Sequence, residues 1–218
     1  VVSKCRTCGA GNYIKNPCSA NADTVCASCS VTCGAGNYIS SPCTASKNAV
    51  CSACTKQCSF GEVLDASACT GSGTKNNAVC KKTMQLVYNN IAGLSISLPL
   101  GGTVDVIIDW GDGSDVEEVK AAGLKSHTYG SGSTGEVTVK ISGSMTAFGN
   151  LSTTNINKLV RVKSFGDLGI VDWTFAFYRA SNLLSVPSSI PSGATNMSYM
   201  FYDATWFDQD ISGWDVSS

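Results

Sequence analysis

The sequence predicts a mainly β, multidomain protein built from three consecutive segments. Three observations support this fold class. All 12 cysteines lie between Cys5 and Cys80, runs of alternating β-branched residues follow them, and a 24-residue repeat occupies the last quarter of the chain. We therefore expect disulfide-rich small modules over 1–83, an antiparallel β-sandwich over 84–149, and the start of a repeat solenoid over 150–218.

The charge balance differs along the chain but forms no block of like charge. Residues 1–83 carry 8 Lys and Arg against 3 Asp and Glu, whereas residues 84–218 carry 7 against 13. Binding to nucleic acid or to an anionic membrane would need a basic cluster, so we predict neither as a partner. No apolar run reaches the roughly 18 residues of a membrane-spanning helix, so we predict no membrane insertion within this chain.

The cysteines form three successive four-cysteine units. Gly, Asn, Ser and Thr dominate between them, so these segments cannot bury enough apolar surface to offset chain entropy. Their fold therefore needs cross-links, either disulfides or a bound metal. Tandem units of four cysteines favour disulfides in an oxidising compartment. The spacings are Cys5-x2-Cys8-x9-Cys18-x7-Cys26, then Cys29-x3-Cys33-x9-Cys43-x7-Cys51, then Cys54-x3-Cys58-x10-Cys69-x10-Cys80.

A bound zinc ion is the alternative cross-link. Cys5-x2-Cys8 and Cys26-x2-Cys29 together have the spacing of a four-thiolate zinc site. That assignment splits the repeat unit, leaves Cys18 without a role, and fails downstream, where the two-residue spacing is lost. We therefore predict disulfides and no metal. Four cysteines allow three pairings, and spacing alone does not choose among them.

The units resemble the second half of the cysteine-rich modules of tumour necrosis factor receptors, including the endings Thr24-Val-Cys26 and Ala49-Val-Cys51. The other half-module, with its own cysteine pair, is missing from the sequence. We predict that the segment is a spacer, with a ligand-binding face as the alternative, because no unit has the aromatic–Arg cluster that anchors interfaces. The resemblance implies the pairs Cys5–Cys18, Cys8–Cys26, Cys29–Cys43, Cys33–Cys51, Cys54–Cys69 and Cys58–Cys80.

Short strands separated by glycine turns are predicted over 84–149. With no helical period present, this pattern favours an antiparallel β-sandwich. The strands are Leu94–Leu98, Val104–Ile108 and Val137–Ile141, and the turns contain Gly101-Gly102, Gly111-Asp-Gly113 and Gly130-Ser-Gly132. Asp109-Trp-Gly-Asp-Gly-Ser114, His127-Thr-Tyr129 and the run Gly135–Gly143 resemble PKD-type domains, which implies an immunoglobulin-like (PKD-like) sandwich.

The polar residues of this segment predict a structural role. Asp109, Asp112 and Asp115 recur at every third position, which leaves calcium open, but the alternating oxygen ligands of an EF-hand loop are missing. We predict a turn in which Asp112 accepts bonds from local amides. His127 is the only histidine, and no serine sits in a nucleophile elbow. We therefore predict no enzyme, no catalytic residues and no cofactor.

The last segment contains the repeat. Trp173-Thr-Phe-Ala-Phe-Tyr-Arg-Ala-Ser is followed 24 residues later by Met197-Ser-Tyr-Met-Phe-Tyr-Asp-Ala-Thr. A period of this length is typical of solenoids, in which each coil buries its face against a neighbour. Residues 196–218 resemble one repeat of BspA-type leucine-rich-repeat surface proteins, departing chiefly at Asp208, where Asn is usual. That resemblance implies a recognition protein of the cell surface.

We predict that the strand Leu159–Phe165 caps the array and that the repeat aromatics form a buried ladder, with a carbohydrate-stacking platform as the alternative. The aromatics concerned are Trp173, Phe175, Phe177, Phe201, Trp206, Phe207 and Trp214. We also expect the array to continue in a further coil. In that case residues beyond Ser218 would cover Trp214, Ile211 and Phe201. Without a further coil, these side chains would leave an exposed apolar edge.

These features predict a non-enzymatic recognition or adhesion protein, located extracellularly or at the cell surface. The cysteine-rich segment would be the spacer, and the solenoid would bind a protein or glycan ligand on a cell or matrix surface. The alternative is a receptor-like ectodomain whose cysteine-rich modules bind a protein. Asn150-Leu-Ser152 and Asn196-Met-Ser198 are candidate glycosylation acceptors.

Overall fold

A computed structural model of the protein describes residues 5–30, 32–59, 61–65, 69, 76, 78–133 and 135–217. The chain separates into two compact units. The first consists of Val1–Phe60 and Leu64–Cys80, and the second of Gly61–Val63 and Lys81–Ser218. The predicted segments 84–149 and 150–218 lie together in the second unit, where they share one hydrophobic core.

Each four-cysteine module contributes one pair of short strands. β1 (Asn12–Asn16) pairs with β2 (Val25–Ser28), β3 (Asn37–Ser41) with β4 (Val50–Ala53), and β5 (Glu62–Asp65) with β6 (Val79–Lys82). The first two pairs are antiparallel and have the same register, since Ile14 lies opposite Cys26 and Ile39 opposite Cys51. The Gly-Asn-Tyr-Ile run that the two modules share therefore builds the same strand twice.

Six disulfides hold the modules together and use all 12 cysteines, in agreement with the predicted disulfide-rich segment. They close sequence separations of 13 to 22 residues. Apolar burial is slight here, because the buried cluster among the described residues consists of Cys54, Cys69 and Ala78. The bonds are Cys5–Cys18, Cys8–Cys26, Cys29–Cys43, Cys33–Cys51, Cys54–Cys69 and Cys58–Cys80, the same pairs that the receptor resemblance implies.

The second unit contains an open six-stranded antiparallel sheet. Its strand order is β10-β8-β11-β7-β12, with β9 also paired to β8. The mainly β class is confirmed, because the only helical element among the described residues is the 3₁₀ turn Ile156–Lys158. The strands are β7 (Met84–Asn89), β8 (Ser95–Asp109), β9 (Glu117–Val119), β10 (Gly123–Thr128), β11 (Glu136–Phe148) and β12 (Leu159–Phe165).

Two predicted strands, 94–98 and 104–108, prove to be parts of the single strand β8, so the prediction of a turn at Gly101-Gly102 is wrong. Gly102 has φ 67°, a left-handed conformation that glycine adopts without a steric penalty. The register between β8 and β11 shifts nearby, between Met145 and Ala147. A β-bulge of this kind bends a strand without ending it.

The two halves of β8 differ in burial. Residues 96–100 are all buried, whereas beyond Gly102 only Val104, Val106 and Ile108 are buried on alternate positions. In the first half the buried Ser97 accepts a hydrogen bond at Oγ from the Thr154 amide at 2.6 Å. The segment after β11 therefore covers the second face of β8 and satisfies its polar side chain.

The repeat packs directly against the sheet and forms one core with it. The Phe165 ring, in β12, lies 4.9 Å from the Trp173 ring and 6.3 Å from the Phe177 ring. Phe148, at the end of β11, lies 6.4 Å from Trp173. The predicted capping strand is present as β12. It pairs with β7, and it also forms a parallel bridge from Arg161 to Ser185.

Successive coils of the repeat are joined by backbone hydrogen bonds between residues 23 positions apart. Phe175 and Tyr199, and likewise Arg179 and Asp203, are left-handed at equivalent positions. The two coils therefore have the same backbone shape, which allows them to stack. The four bonds run from the amides of Trp173, Phe175, Phe177 and Arg179 to the carbonyls of Asn196, Ser198, Met200 and Tyr202.

Trp214 does not form part of an exposed apolar edge, so that element of the sequence-based expectation is wrong. Its side chain is buried and lies 5.7 Å from the Phe165 ring and 5.9 Å from the Phe201 ring. Its indole Nε1 donates to the Pro187 carbonyl at 3.1 Å. The chain after Phe207 therefore packs its indole against the core and satisfies the indole N–H with a backbone carbonyl.

Candidate recognition surfaces

The turn after β8 holds a polar cluster around Asp112. Its Oδ2 lies 2.8 Å from Nε2 of His127, and its Oδ1 accepts from the Ser114 hydroxyl at 2.6 Å and from the Ser114 amide at 3.1 Å. These bonds, first that of the Ser114 hydroxyl and then that of His127, lower the pKa of Asp112 to about 2. The predicted turn with Asp112 accepting a local amide is therefore present.

The only histidine is held by aromatic neighbours. Its ring stacks on Trp110 at 4.8 Å and meets Tyr129 edge-on at 4.7 Å. The Tyr129 hydroxyl donates to the Trp110 carbonyl at 2.9 Å. Asp112 lies between Ser114 and His127, so this cluster does not have the serine–histidine contact that activates a nucleophile.

The other acidic residues of this region are engaged in separate contacts. Asp109 accepts from the Gly111 amide at 2.9 Å and pairs with Lys140 at 3.1 Å. Glu117 pairs with Lys125 at 2.5 Å, while Glu118 lies near Lys120 at 3.8 Å. Asp115 is exposed. Within the residues that the structure describes, no three acidic, His or Cys side chains are arranged to hold a metal ion.

The repeat carries a group of four aromatic rings, two of them partly buried and two exposed, which we call the outer aromatic surface: Phe175, Tyr178, Tyr199 and Tyr202. Phe175 stacks on Tyr199 at 5.3 Å, and Tyr178 stacks on Tyr202 at 5.2 Å. Tyr199 and Tyr202 are 61% and 54% exposed, so the second coil offers its rings to solvent. Large apolar area, hydroxyl groups and few rotatable bonds make such rings effective interface anchors.

Charged groups and free backbone donors border the outer aromatic surface. The Arg179 guanidinium lies 5.1 Å from the centre of the Tyr178 ring, and its Nε is 3.8 Å from Asp203. In the described part of the chain, no hydrogen bond is made by the amides of Met197, Tyr199, Phe201 and Asp203. They are the 24-residue equivalents of the four amides that bind the second coil.

The prediction of a buried aromatic ladder holds for only part of the repeat. Trp173 and Phe177 are buried, and Phe177 stacks on the partly buried Phe201 at 5.7 Å. Phe175 belongs instead to the outer aromatic surface, and Trp206 is 69% exposed. The sequence-based prediction did not include the partly buried Tyr178 or the exposed Tyr202 in this surface. Their recurrence at the 24-residue offset, next to buried Phe177 and Phe201, was the available signal.

The two candidate glycosylation acceptors lie in exposed turns. The Asn150 side chain accepts from the Ser152 amide at 2.8 Å, and the Asn196 side chain accepts from the Ser198 amide at 3.1 Å. The Asn196 carbonyl also accepts from the Trp173 amide at 2.7 Å. Asn196 therefore has a structural role in joining the two coils.

The cysteine modules share a polar closure that was not predicted. Asp23 accepts from the amides of Arg6 and Thr24, and Asn48 accepts from those of Ser30 and Ala49. The bond from the Arg6 amide is the main reason why the pKa of Asp23 is lowered. The signal in the sequence was an Asp or Asn three residues before the last cysteine of the first two modules.

Two regions of the chain match family models. Residues 147–218 match the family described as "Mycoplasma protein of unknown function, DUF285". Residues 3–26 and 26–51 each match the TNFR/NGFR cysteine-rich region. These modules are similar to those of the receptor family. The matched ranges cover the first two of the three modules.

The two matches support the predicted tumour necrosis factor receptor-like modules and the predicted BspA-like surface-protein region. Both are non-catalytic kinds of domain, and together with the disulfides they point to an extracellular or cell-surface location. No curated protein and no solved structure matches the chain. The described residues include no helix with the length and apolar character needed to cross a membrane.

Proposed function

We propose that this protein is a non-enzymatic adhesion or recognition protein whose repeat binds a protein or glycan ligand on a cell or matrix surface. Residues 84–149 would be a PKD-like adaptor, residues 150–218 the first coils of a BspA-type leucine-rich-repeat solenoid, and residues 1–83 a spacer. The outer aromatic surface is the observation that carries this proposal. It combines stacked, exposed tyrosines with Arg179, the residue types that contribute most to binding energy at interfaces.

A protein ligand suits this surface better than a glycan does. The unpaired amides of Met197, Tyr199, Phe201 and Asp203 form a row of donors at every second residue. A protein ligand presents backbone carbonyls that can accept from these donors, as the carbonyls of the second coil accept from the equivalent amides of the first. The amides would supply affinity, and the tyrosines would select the side chains of the ligand.

Adhesion of beads coated with the full chain to cell-derived extracellular matrix tests the proposal. The double variant Tyr199→Ser/Tyr202→Ser should lose most adhesion while remaining folded, because both side chains are more than half exposed. Val116→Ser is the matched control, since Val116 is 62% exposed in the turn between β8 and β9. Full adhesion by the tyrosine variant would overturn the proposed role of the repeat.

The receptor-like alternative has its own supporting observation. Val25, Val50 and Val79 occupy equivalent positions before the last cysteine of each module and are 47%, 52% and 42% exposed. A row of exposed valines would suit a protein ligand that spans several modules. In the same assay, loss of adhesion by Val25→Ser/Val50→Ser, with the tyrosine variant unaffected, would favour this alternative.

A further inference from the structure

A groove on another part of the repeat has a different chemistry from the outer aromatic surface. It has a volume of about 220 Å³ and is lined by Asn89, Asn90, Lys158, Val160, Asn182, Leu184 and Trp206. We call it the Trp206 groove. It combines one large aromatic ring, three side-chain amides and one cation on an apolar floor.

Trp206 is the most exposed large apolar side chain among the described residues, at 69%. Its backbone is nevertheless held, because its amide donates to the Ser181 carbonyl at 3.2 Å. The indole therefore stands on a fixed backbone with most of its surface in solvent. A flat, exposed aromatic face is suited to stacking against the C–H groups of a sugar ring, since the ring face carries partial negative charge.

The amides of the groove keep free hydrogen-bonding capacity. Asn182 donates from Nδ2 to the Asn157 carbonyl at 2.7 Å, which orients the side chain and leaves its Oδ1 as an acceptor. Asn89 accepts from the Asn90 amide at 2.8 Å, and its two amide donors have no partner among the described residues. Paired donors and acceptors of this kind match the hydroxyl groups of a sugar, each of which both donates and accepts.

Lys158 decides the charge of the occupant. It is the only charged residue that lines the groove, and in the described part of the chain it makes no ion pair. A carboxylate on the ligand would give Lys158 a charge-assisted hydrogen bond.

We propose that the Trp206 groove binds a hexuronic acid residue of a glycan. The sugar ring would stack on Trp206, its hydroxyls would bond to Asn89 and Asn182, and its carboxylate would pair with Lys158. The volume of about 220 Å³ is below that of pockets for drug-sized ligands, which favours a single pyranose ring over a larger acidic sugar. This inference rests on the proposed function, to which it adds a second and chemically distinct site.

Titration of the full chain with methyl glucuronide, followed by the indole N–H resonances of its 4 tryptophans, tests the inference. The Trp206 resonance should shift, and the buried Trp173 resonance should not. Methyl glucoside, the neutral counterpart, should bind about tenfold more weakly, because it cannot pair with Lys158. Lys158→Gln should lower the affinity for glucuronide to that for glucoside.

Variants of Trp206 make the test decisive. Because variants of Trp206 lack its resonance, their binding is followed by saturation transfer from the protein to the sugar protons. Trp206→Ala should abolish binding of both sugars, whereas Trp206→Phe, which keeps an aromatic face, should retain it. Binding by Trp206→Ala, equal affinity for the two sugars, absence of binding to either, or stronger binding of an acidic tetrapeptide would each overturn the inference.

Tyr199→Ser/Tyr202→Ser keeps the two proposals separate. This variant should bind glucuronide like the unaltered protein while losing adhesion to matrix. If glucuronide fails to bind and the adhesion result stands, the groove is wrong and the proposed function is retained. If glucuronide binds and the tyrosine variant adheres fully, the role of the outer aromatic surface is wrong and the sugar site is retained.

Discussion

The two units reach a folded β structure by different means. The cysteine-rich unit has six disulfides, and its buried apolar cluster consists of Cys54, Cys69 and Ala78. The second unit contains no cysteine in Lys81–Ser218 and instead buries one continuous core that extends from Met84 to Trp214. A small module cannot bury enough surface to fold on apolar contacts alone, whereas a sheet joined to a repeat can.

Because of this difference, the two units expose different kinds of side chain on their surfaces. The modules present single exposed valines, because their few large side chains lie on short strands. In the repeat, Phe177 and Phe201 fill the interior, so the core does not need the tyrosines and they can lie on the outside. The two units should therefore respond to different perturbations.

Reduction of the disulfides should have the largest effect. In the chain-entropy model, each loop of this size is worth about 3 kcal/mol, so loss of all six should unfold the cysteine-rich unit. The second unit should keep its structure. Hydrogen exchange with and without dithiothreitol checks both statements, and loss of protection at Leu86 and Val139 on reduction would contradict the independence of the two units.

Removal of a core aromatic should produce the opposite pattern. Trp173→Ala should destabilise the second unit by about 3–5 kcal/mol, because the buried indole touches both the sheet and the repeat. Chemical denaturation followed by tryptophan fluorescence measures this loss. The disulfide-bonded modules should be unaffected.

Trp173→Phe is the matched control for that variant. The Trp173 indole Nε1 is buried and has no hydrogen-bond partner among the residues that the structure describes. Replacement by Phe keeps a large ring and removes an unsatisfied donor, so the loss should be well below that of Trp173→Ala. Equal losses in the two variants would show that the indole N–H has a partner.

A single methyl group at the junction of sheet and repeat should have a smaller but clear effect. Gly149 has φ 149°, and a Cβ there would lie 1.9 Å from the Thr174 carbonyl oxygen. Gly149→Ala should therefore destabilise the second unit by about 2–4 kcal/mol, through backbone strain and overpacking. Gly132→Ala is the control, since a Cβ at Gly132 meets no described residue within 4 Å. Thermal unfolding of both variants measures the difference.

The turn cluster should give the smallest effect, and one that depends on pH. The folded-state pKa of Asp112 is about 2, below its ordinary value of 3.8, so its stabilisation is present above pH 3.8 and is lost as pH falls towards 2. At neutral pH, Asp112→Ala should lower stability by about 0.5–2 kcal/mol. Denaturation curves of protein and variant should converge near pH 2.

Calcium provides an independent check on the turn. If calcium raises the melting temperature of the protein and Asp112→Ala abolishes that rise, the assignment of Asp112 to a purely structural turn is wrong. Asp109→Asn is the companion variant. If the only role of Asp109 is to pair with Lys140, this substitution should leave the effect of calcium on the melting temperature unchanged.

Local features of the sequence determined much of this fold. The confinement of the cysteines to residues 5–80 predicted the covalent unit, and alternation over Leu159–Phe165 predicted β12 with its bounds. These predictions succeed because cysteine content and strand periodicity are properties of short segments. The polar closures by Asp23 and Asn48 are equally local and could have been found from their position before the cysteines.

Only the tertiary structure decided which elements share a core and which side chains face outward. The 24-residue repeat made Phe175 and Phe177 equally good candidates for the interior, but Phe175, with its left-handed backbone, is only partly buried, whereas Phe177 is fully buried. Gly102 likewise predicts a turn from the local sequence, and only the pairing of β8 with β11 shows that the strand continues through it. Such outcomes depend on contacts between residues distant in sequence, and no short stretch of the chain contains that information.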